Sequence, residues 1–174
     1  MKVLMIVAPN NFRDEELLEP KAAFEKAGMQ VVISSKEVSV ATGKLGAKIR
    51  VDKELSDVSI ADYDALVFVG GPGSTIYFDN QTALNLAQEA IKTNKILGAI
   101  CIAPSILANA GVLKGKQATA FPSEEKNLRA KGAIYTKDAV VRDGNIITAS
   151  GPAAATRFGE EILKALKDVS SSPC

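Results

Sequence analysis

The sequence predicts an α/β fold, an open and mostly parallel sheet with helices on both faces. Three observations lead there. Short apolar runs alternate with stretches of helical periodicity, the pattern of consecutive β-α-β units. The run Ile96-Leu97-Gly98-Ala99-Ile100 carries no charge and reads as a central strand buried on both faces. At 174 residues the chain suits one domain with a core between two helix layers.

Lys2 to Ala8 is predicted as the first strand, with Pro9-Asn10-Asn11 as the loop leaving its carboxyl end. Met1 to Val7 has the look of a signal sequence, but the apolar run is short and Asn10, Asn11, Arg13 and a cluster of acids follow it. From Asp14 to Ala27, Leu17, Leu18, Ala22, Phe24 and Ala27 recur at roughly helical spacing, and Gly28 ends the helix. Asp14, Glu15 and Glu16 fall in its first turns, where acids complement the helix dipole on a solvated surface. Val31 to Ser34 is the second strand, and Val38 to Val51 is a small hairpin or excursion punctuated by Gly43 and Gly46.

Ala65 to Val69 is a strand that runs directly into Gly70-Gly71-Pro72-Gly73-Ser74, and a helix is expected from Gln81 to Thr93. That glycine-rich loop is neither a dinucleotide fingerprint nor a Walker loop, so it reads as a tight turn beside a site. Lys116 to Phe121 is predicted as a strand, Glu124 to Ala130 as a short helix and Ala133 to Tyr135 as a strand. Asp143-Gly144 between apolar flanks marks a C-terminal hairpin. A last helix opens at Gly151-Pro152 and runs to about Lys167, giving one domain over residues 1–168 and a serine-rich tail over 169–174.

Composition excludes several function classes. Lys plus Arg number 21 against 20 for Asp plus Glu, with no block of like charge, so nothing favours nucleic acid or an anionic membrane as partner. Cys101 and Cys174 do not make a disulfide framework, and a reducing cytoplasm is the expected compartment. The chain has no histidine, which removes every imidazole-based triad and every histidine-containing zinc site. No metal or cofactor is expected.

Cys101 follows the buried strand, and Pro104 sits where the first turn of a helix tolerates proline. A thiol at such a corner, near the positive end of a helix, can become a nucleophile. Two bland readings compete. A lone cysteine in an apolar run is commonly a packing residue, and the uncharged stretch from Ile96 to Leu113 approaches a membrane span in length. Gly98, Pro104, Asn109 and Gly111 speak against the span. In open α/β sheets ligands sit at the carboxyl ends of the strands. Three loops leave those ends here: Pro9 to Glu16, Gly70 to Ser74 and the Cys101 corner. They bring together a thiol, a carboxylate and glycine amides, which favours the nucleophile.

Phe12-Arg13-Asp14-Glu15-Glu16-Leu17-Leu18-Glu19-Pro20 resembles the F-x-D-x-E-L-x-x-P start of the first helix in the ThiJ/PfpI superfamily. That superfamily includes intracellular proteases, chaperone-like stress proteins and the parkinsonism-associated protein deglycase. Ala99-Ile100-Cys101-x-x-Pro104 resembles its nucleophile elbow, and Asp64 to Gly73 its oxyanion-side loop. Asp143 to Thr148, Gly151-Pro152 and Phe158 resemble its C-terminal landmarks. The resemblance implies a flavodoxin-like three-layer sandwich and a homodimer or higher homo-oligomer. It also implies that Cys101 is the reactive cysteine and that Glu16 is the acid whose carboxyl hydrogen-bonds the thiolate. A neutral carboxyl can donate to a thiolate, whereas two anions would repel. The amides of Gly71, Gly73 and Ile102 are the candidate oxyanion donors, and Pro72 has no N–H to offer.

Ile102 stands where the protease-like branch carries histidine, and no acid follows the glycines before Asp79. A histidine-dependent protease or glutaminase cannot be assembled from this chain. The branch with an apolar residue after the cysteine implies a glyoxalase- or deglycase-like enzyme acting on small reactive carbonyls or modified protein side chains. The alternatives are a redox-sensing or chaperone-like module in which Cys101 is oxidised, and a buried structural cysteine in a decayed site.

Overall fold

The computed structural model describes residues 1–172. In chain order the strands are β1 (Lys2–Ile6), β2 (Asn10–Phe12), β3 (Gln30–Ser35), β4 (Val40–Gly43), β5 (Lys48–Arg50), β6 (Lys53–Glu54), β7 (Ala65–Phe68), β8 (Ile96–Ile100), β9 (Gln117–Ala118), β10 (Ile134–Tyr135), β11 (Val140–Asp143) and β12 (Ile146–Ala149). The helices are α1 (Asp14–Lys26), α2 (Gln81–Lys92), α3 (Pro104–Asn109), α4 (Glu125–Ala130) and α5 (Ala155–Ser171).

A seven-stranded sheet runs in the order β11-β12-β8-β7-β1-β3-β6, and every neighbouring pair is parallel except the β11–β12 hairpin at one edge. Strand alternation sends its side chains into two cores. Val3, Met5, Val67 and Ile100 meet Leu17 and Phe24 of α1 and Phe158, Ile162 and Leu166 of α5. Leu4, Ile6, Leu66, Phe68 and Leu97 meet Leu86 and Ala90 of α2 and Ile106 and Leu107 of α3. Each buried aliphatic side chain of this kind contributes roughly 1.5–3 kcal/mol. The three-layer sandwich predicted from the sequence is therefore the observed architecture. Helices cover both faces, so the carboxyl edge of the sheet is where the loops after β1, β7 and β8 gather.

The departures from expectation are local. The loop after β1 is itself partly a strand, because β2 adds in parallel to the β4–β5 hairpin and ties it to the rest of the molecule. The strand expected over Lys116 to Phe121 shrinks to β9, which pairs with β10 in a separate two-stranded sheet. Beyond Ala118 its amides go elsewhere: Thr119 N–H donates to the Thr148 hydroxyl, and Phe121 N–H to the Cys101 carbonyl. Helix α5 continues to Ser171 and takes in the first residues expected as tail. Cys174 lies outside the described residues.

Candidate active site

Cys101 follows directly on β8. Its backbone turns into the left-handed region, at φ +64°. For a residue with a side chain this conformation costs about 1–3 kcal/mol and persists only where its surroundings hold it. Two hydrogen bonds do so: Cys101 N–H donates to the Ala149 carbonyl at 2.9 Å, and its own carbonyl accepts from Phe121 N–H at 2.7 Å. A three-residue turn, Cys101 to Ala103, then leads into α3 at Pro104. Cys101 is 8% exposed, at the surface of the α1–α5 core.

The loop after β7 closes over the elbow because glycine occupies it. A Cβ at Gly70 would lie 2.6 Å from Glu16 Oε2 and 2.7 Å from Cys101 Cβ, so only a hydrogen fits between them. Gly71, at φ +101°, presses against the backbone of Asn11 to Arg13. Arg13 N–H donates to the Gly70 carbonyl at 2.9 Å, which locks the first and second loops together. The amides of Gly71 and Ile102, two of the three expected donors, favour the Cys101 anion. Gly73, one turn further on, packs against Ala8 and Asn10.

Glu16 lies in the first turn of α1 and is fully buried. Pro20, four residues on, has no N–H and leaves the Glu16 carbonyl without its helical donor. Burial pushes the Glu16 carboxyl up to about 8, a rise opposed by the Cys101 thiol, the Arg13 guanidinium and the Gly70 amide. Neither carboxyl oxygen completes an aligned hydrogen bond, so the thiol is a close neighbour rather than a fixed partner. Burial also pushes Cys101 up to about 12, reinforced by the charge and hydrogen bonding of Glu16 and opposed by the two amides. Two anions cannot share this niche. Near neutrality Glu16 keeps its proton, which removes its charge from the balance at Cys101. The Gly71 and Ile102 amides are what favours the sulfur anion, and the protonated carboxyl beside it has a proton to give.

The sulfur opens into a pocket of about 390 Å³ lined by Arg13, Lys44, Gly71, Pro72, Cys101, Ile102, Phe121, Ser123, Glu124 and Pro152. Arg13 is braced by Glu15, Nε to Oε2 at 2.6 Å. Lys44 comes from the β4–β5 hairpin, which Asp14 holds in place: its two carboxylate oxygens accept from Leu45 N–H and Ala47 N–H, each at 2.8 Å. The dipole-complement reading of the three acids is thus corrected. Asp14 and Glu16 are buried, and Glu15 alone faces solvent as expected, where it pairs with Arg13. Sequence reasoning missed Asp14, Lys44 and Glu124, whose places depend on contacts distant along the chain. Asp79 is exposed and does not line the pocket, so it brings no acid to Cys101.

Among the described residues no group of three or more His, Cys, Asp or Glu side chains could hold a metal ion. No described helix is long and apolar enough to cross a membrane.

An uncharacterized protein of Methanocaldococcus jannaschii is 49% identical to this chain over 169 residues, covering 95% of this chain and 82% of that protein. A Pyrococcus furiosus protein named deglycase PfpI is 34% identical over 167 residues, covering 96% of this chain and 100% of the other. The crystal structure of a ThiJ/PfpI domain protein from Brachyspira murdochii superposes with a TM-score of 0.94 at 34% identity, covering 96% of each chain. The sequence pattern of the DJ-1/PfpI family matches residues 1–165, and with the elbow cysteine, the buried glutamate and the glycine loop in place the chain belongs to that family.

Proposed function

We propose that the protein converts reactive carbonyls, α-oxoaldehydes or their early adducts on amines and thiols, by covalent catalysis at Cys101 with Glu16 as the proton carrier. The observation that carries this reading is a buried, proton-bearing carboxyl beside a strained thiol, in a chain with no imidazole. A relative named deglycase supports it. We further infer a homodimer or higher homo-oligomer working in the cytoplasm.

The chemistry follows from the proton inventory. Cys101 loses its thiol proton to solvent, the sulfur adds to the aldehyde carbon of methylglyoxal, and the alkoxide formed takes the Glu16 proton to give a hemithioacetal. Glu16, now a carboxylate, removes the proton on that carbon and returns it to the neighbouring one through an enediol. The sulfur-bearing carbon is thereby oxidised and its neighbour reduced, leaving a thioester that water hydrolyses to lactate. A group titrating near the working pH suits both halves of this exchange. We assign stabilisation of the developing oxyanion to the Gly71 and Ile102 amides, which already favour negative charge on the sulfur.

Lactate formation from methylglyoxal by the wild type, Cys101→Ala and Glu16→Gln tests the reading. Cys101→Ala abolishes turnover, and Glu16→Gln lowers kcat by about 10²–10⁴, the usual worth of a positioned acid–base group. Equal rates for all three would refute it.

A further inference from the structure

We infer that Glu124 is the general base that activates water for release of the acyl group from Cys101. This rests on the proposed covalent chemistry at Cys101, whose second half needs a base that Glu16 is badly placed to be. Glu16 is sealed in the core, and Gly70 closes over its carboxyl. Glu124 lines the same pocket as Cys101 and is half-exposed there.

Its setting is built for a fixed carboxylate. Glu124 occupies the N-cap position of α4, yet its side chain makes no capping bond to that helix. It turns away, and Oε1 accepts from the hydroxyl of fully buried Ser105 at 2.7 Å, while Oε2 accepts from the Ser123 hydroxyl at 2.6 Å. Ser105 is committed to this donation because its own oxygen accepts from Asn127 Nδ2 at 3.1 Å. Asn127 also donates to Asn109 Oδ1 at 3.1 Å, and Asn109 donates onward to the Phe78 carbonyl at 2.8 Å. The chain of donors is oriented, and one branch ends on Glu124. A helix start alone would be served by a single cap; here α3 and α4 both supply polar side chains to hold one carboxylate at a pocket rim. The pocket has room for a three-carbon acyl group and several waters, at about 30 Å³ of liquid per water.

In the step assigned to Glu124, a water oxygen bonds to the thioester carbonyl carbon as its proton passes to the carboxylate. The carbon–sulfur bond then breaks, the electron pair leaves on sulfur, and the acid product departs. Glu124 returns its proton to solvent.

The test uses p-nitrophenyl acetate beside methylglyoxal, because the ester acylates Cys101 without any isomerisation. Wild type gives a burst of nitrophenol and then steady deacylation. Glu124→Gln, folded by circular dichroism, gives the same burst but deacylates about 10²-fold more slowly, with acetyl-Cys101 accumulating in the intact mass and, for methylglyoxal, kcat and KM falling together so that kcat/KM is unchanged. Equal deacylation rates overturn the assignment, as does a wild type that shows no burst. A variant whose loss lies in KM without trapped acyl-enzyme also overturns it, since Glu124 would then only recognise substrate. Glu124-dependent deacylation in a protein that makes no lactate would leave this inference standing and remove the carbonyl reading instead.

Discussion

Asp14 and Glu16 lie two residues apart in the first turn of α1, both carboxylic acids and both buried, yet they are opposites. Each Asp14 oxygen receives a backbone N–H from the β4–β5 hairpin, 31 and 33 residues away. Neither Glu16 oxygen receives an aligned donor, and its nearest titratable neighbour is a thiol. Burial alone therefore does not tell a structural acid from a chemical one. The supply of donors does: a buried carboxylate with its donors holds architecture, and one without them keeps its proton and can hand it over.

The sharpest way to break that contrast is to measure stability against pH in Glu16→Gln. The carboxyl titrates at an ordinary value of 4.5 in the unfolded chain and is raised to about 8 in the fold. Below 4.5 it is protonated in both states and costs nothing extra. As pH rises from there to 8, the unfolded chain loses the proton first, so wild-type stability falls, and the loss is complete above 8. The glutamine side chain of the variant cannot ionise. Between pH 5 and 8.5 the wild type should lose about 3 kcal/mol more than the variant, allowing for relaxation of the buried site. Denaturant midpoints at the two pH values read this directly. Parallel losses would mean that Glu16 is solvated and that the contrast with Asp14 is false.

Asp14→Ala probes the other half. Removing the acceptor leaves the Leu45 and Ala47 amides, both in partly buried contacts, without their charged partner. A loss of about 2 kcal/mol follows, or roughly 4–8 °C in Tm for a chain of this size. Because the same hairpin carries Lys44 to the pocket, KM should rise as well. An unchanged Tm would make Asp14 a bystander.

How much of this could be read from the chain depends on the range of the interactions. The Ile96–Ile100 strand is readable because an uncharged run with a following proline is a local signal, and the structure has that strand with the same bounds. The Asp143-Gly144 hairpin is local in the same sense. Glu16 is singled out by a motif resemblance, because helical periodicity sees only an acid near a helix start. Asp14, by the same periodicity, looks solvated, and its true partners lie in the turn between β4 and β5. Glu124 is recognisable only after α3 and α4 are packed together, since Ser105 lies 19 residues away and Asn127 binds it from the next helix. The over-long strand at Lys116 fails for a related reason: its apolar pattern is genuine, but Thr148 and Cys101 take the amides that would have extended the ladder.

The smallest effect separates the two acids at Cys101 itself. Part of the rise in the thiol comes from the charge of Glu16, so it grows as that carboxyl ionises near 8. Wild-type alkylation by iodoacetamide should therefore climb with pH and then flatten, as each increment of base ionises the carboxyl in place of the sulfur. In Glu16→Gln the brake is absent, and the apparent thiol pKa should fall by about one unit, worth about 1.4 kcal/mol. Asp14→Asn removes a charge from the same turn, but one whose oxygens are engaged by backbone amides on the hairpin. Its profile should follow the wild type. Equal shifts in both variants would mean that Cys101 senses only the net charge of the helix start. A shift confined to Glu16→Gln means that it senses one proton, held in a niche that Gly70 leaves room for and no other residue could.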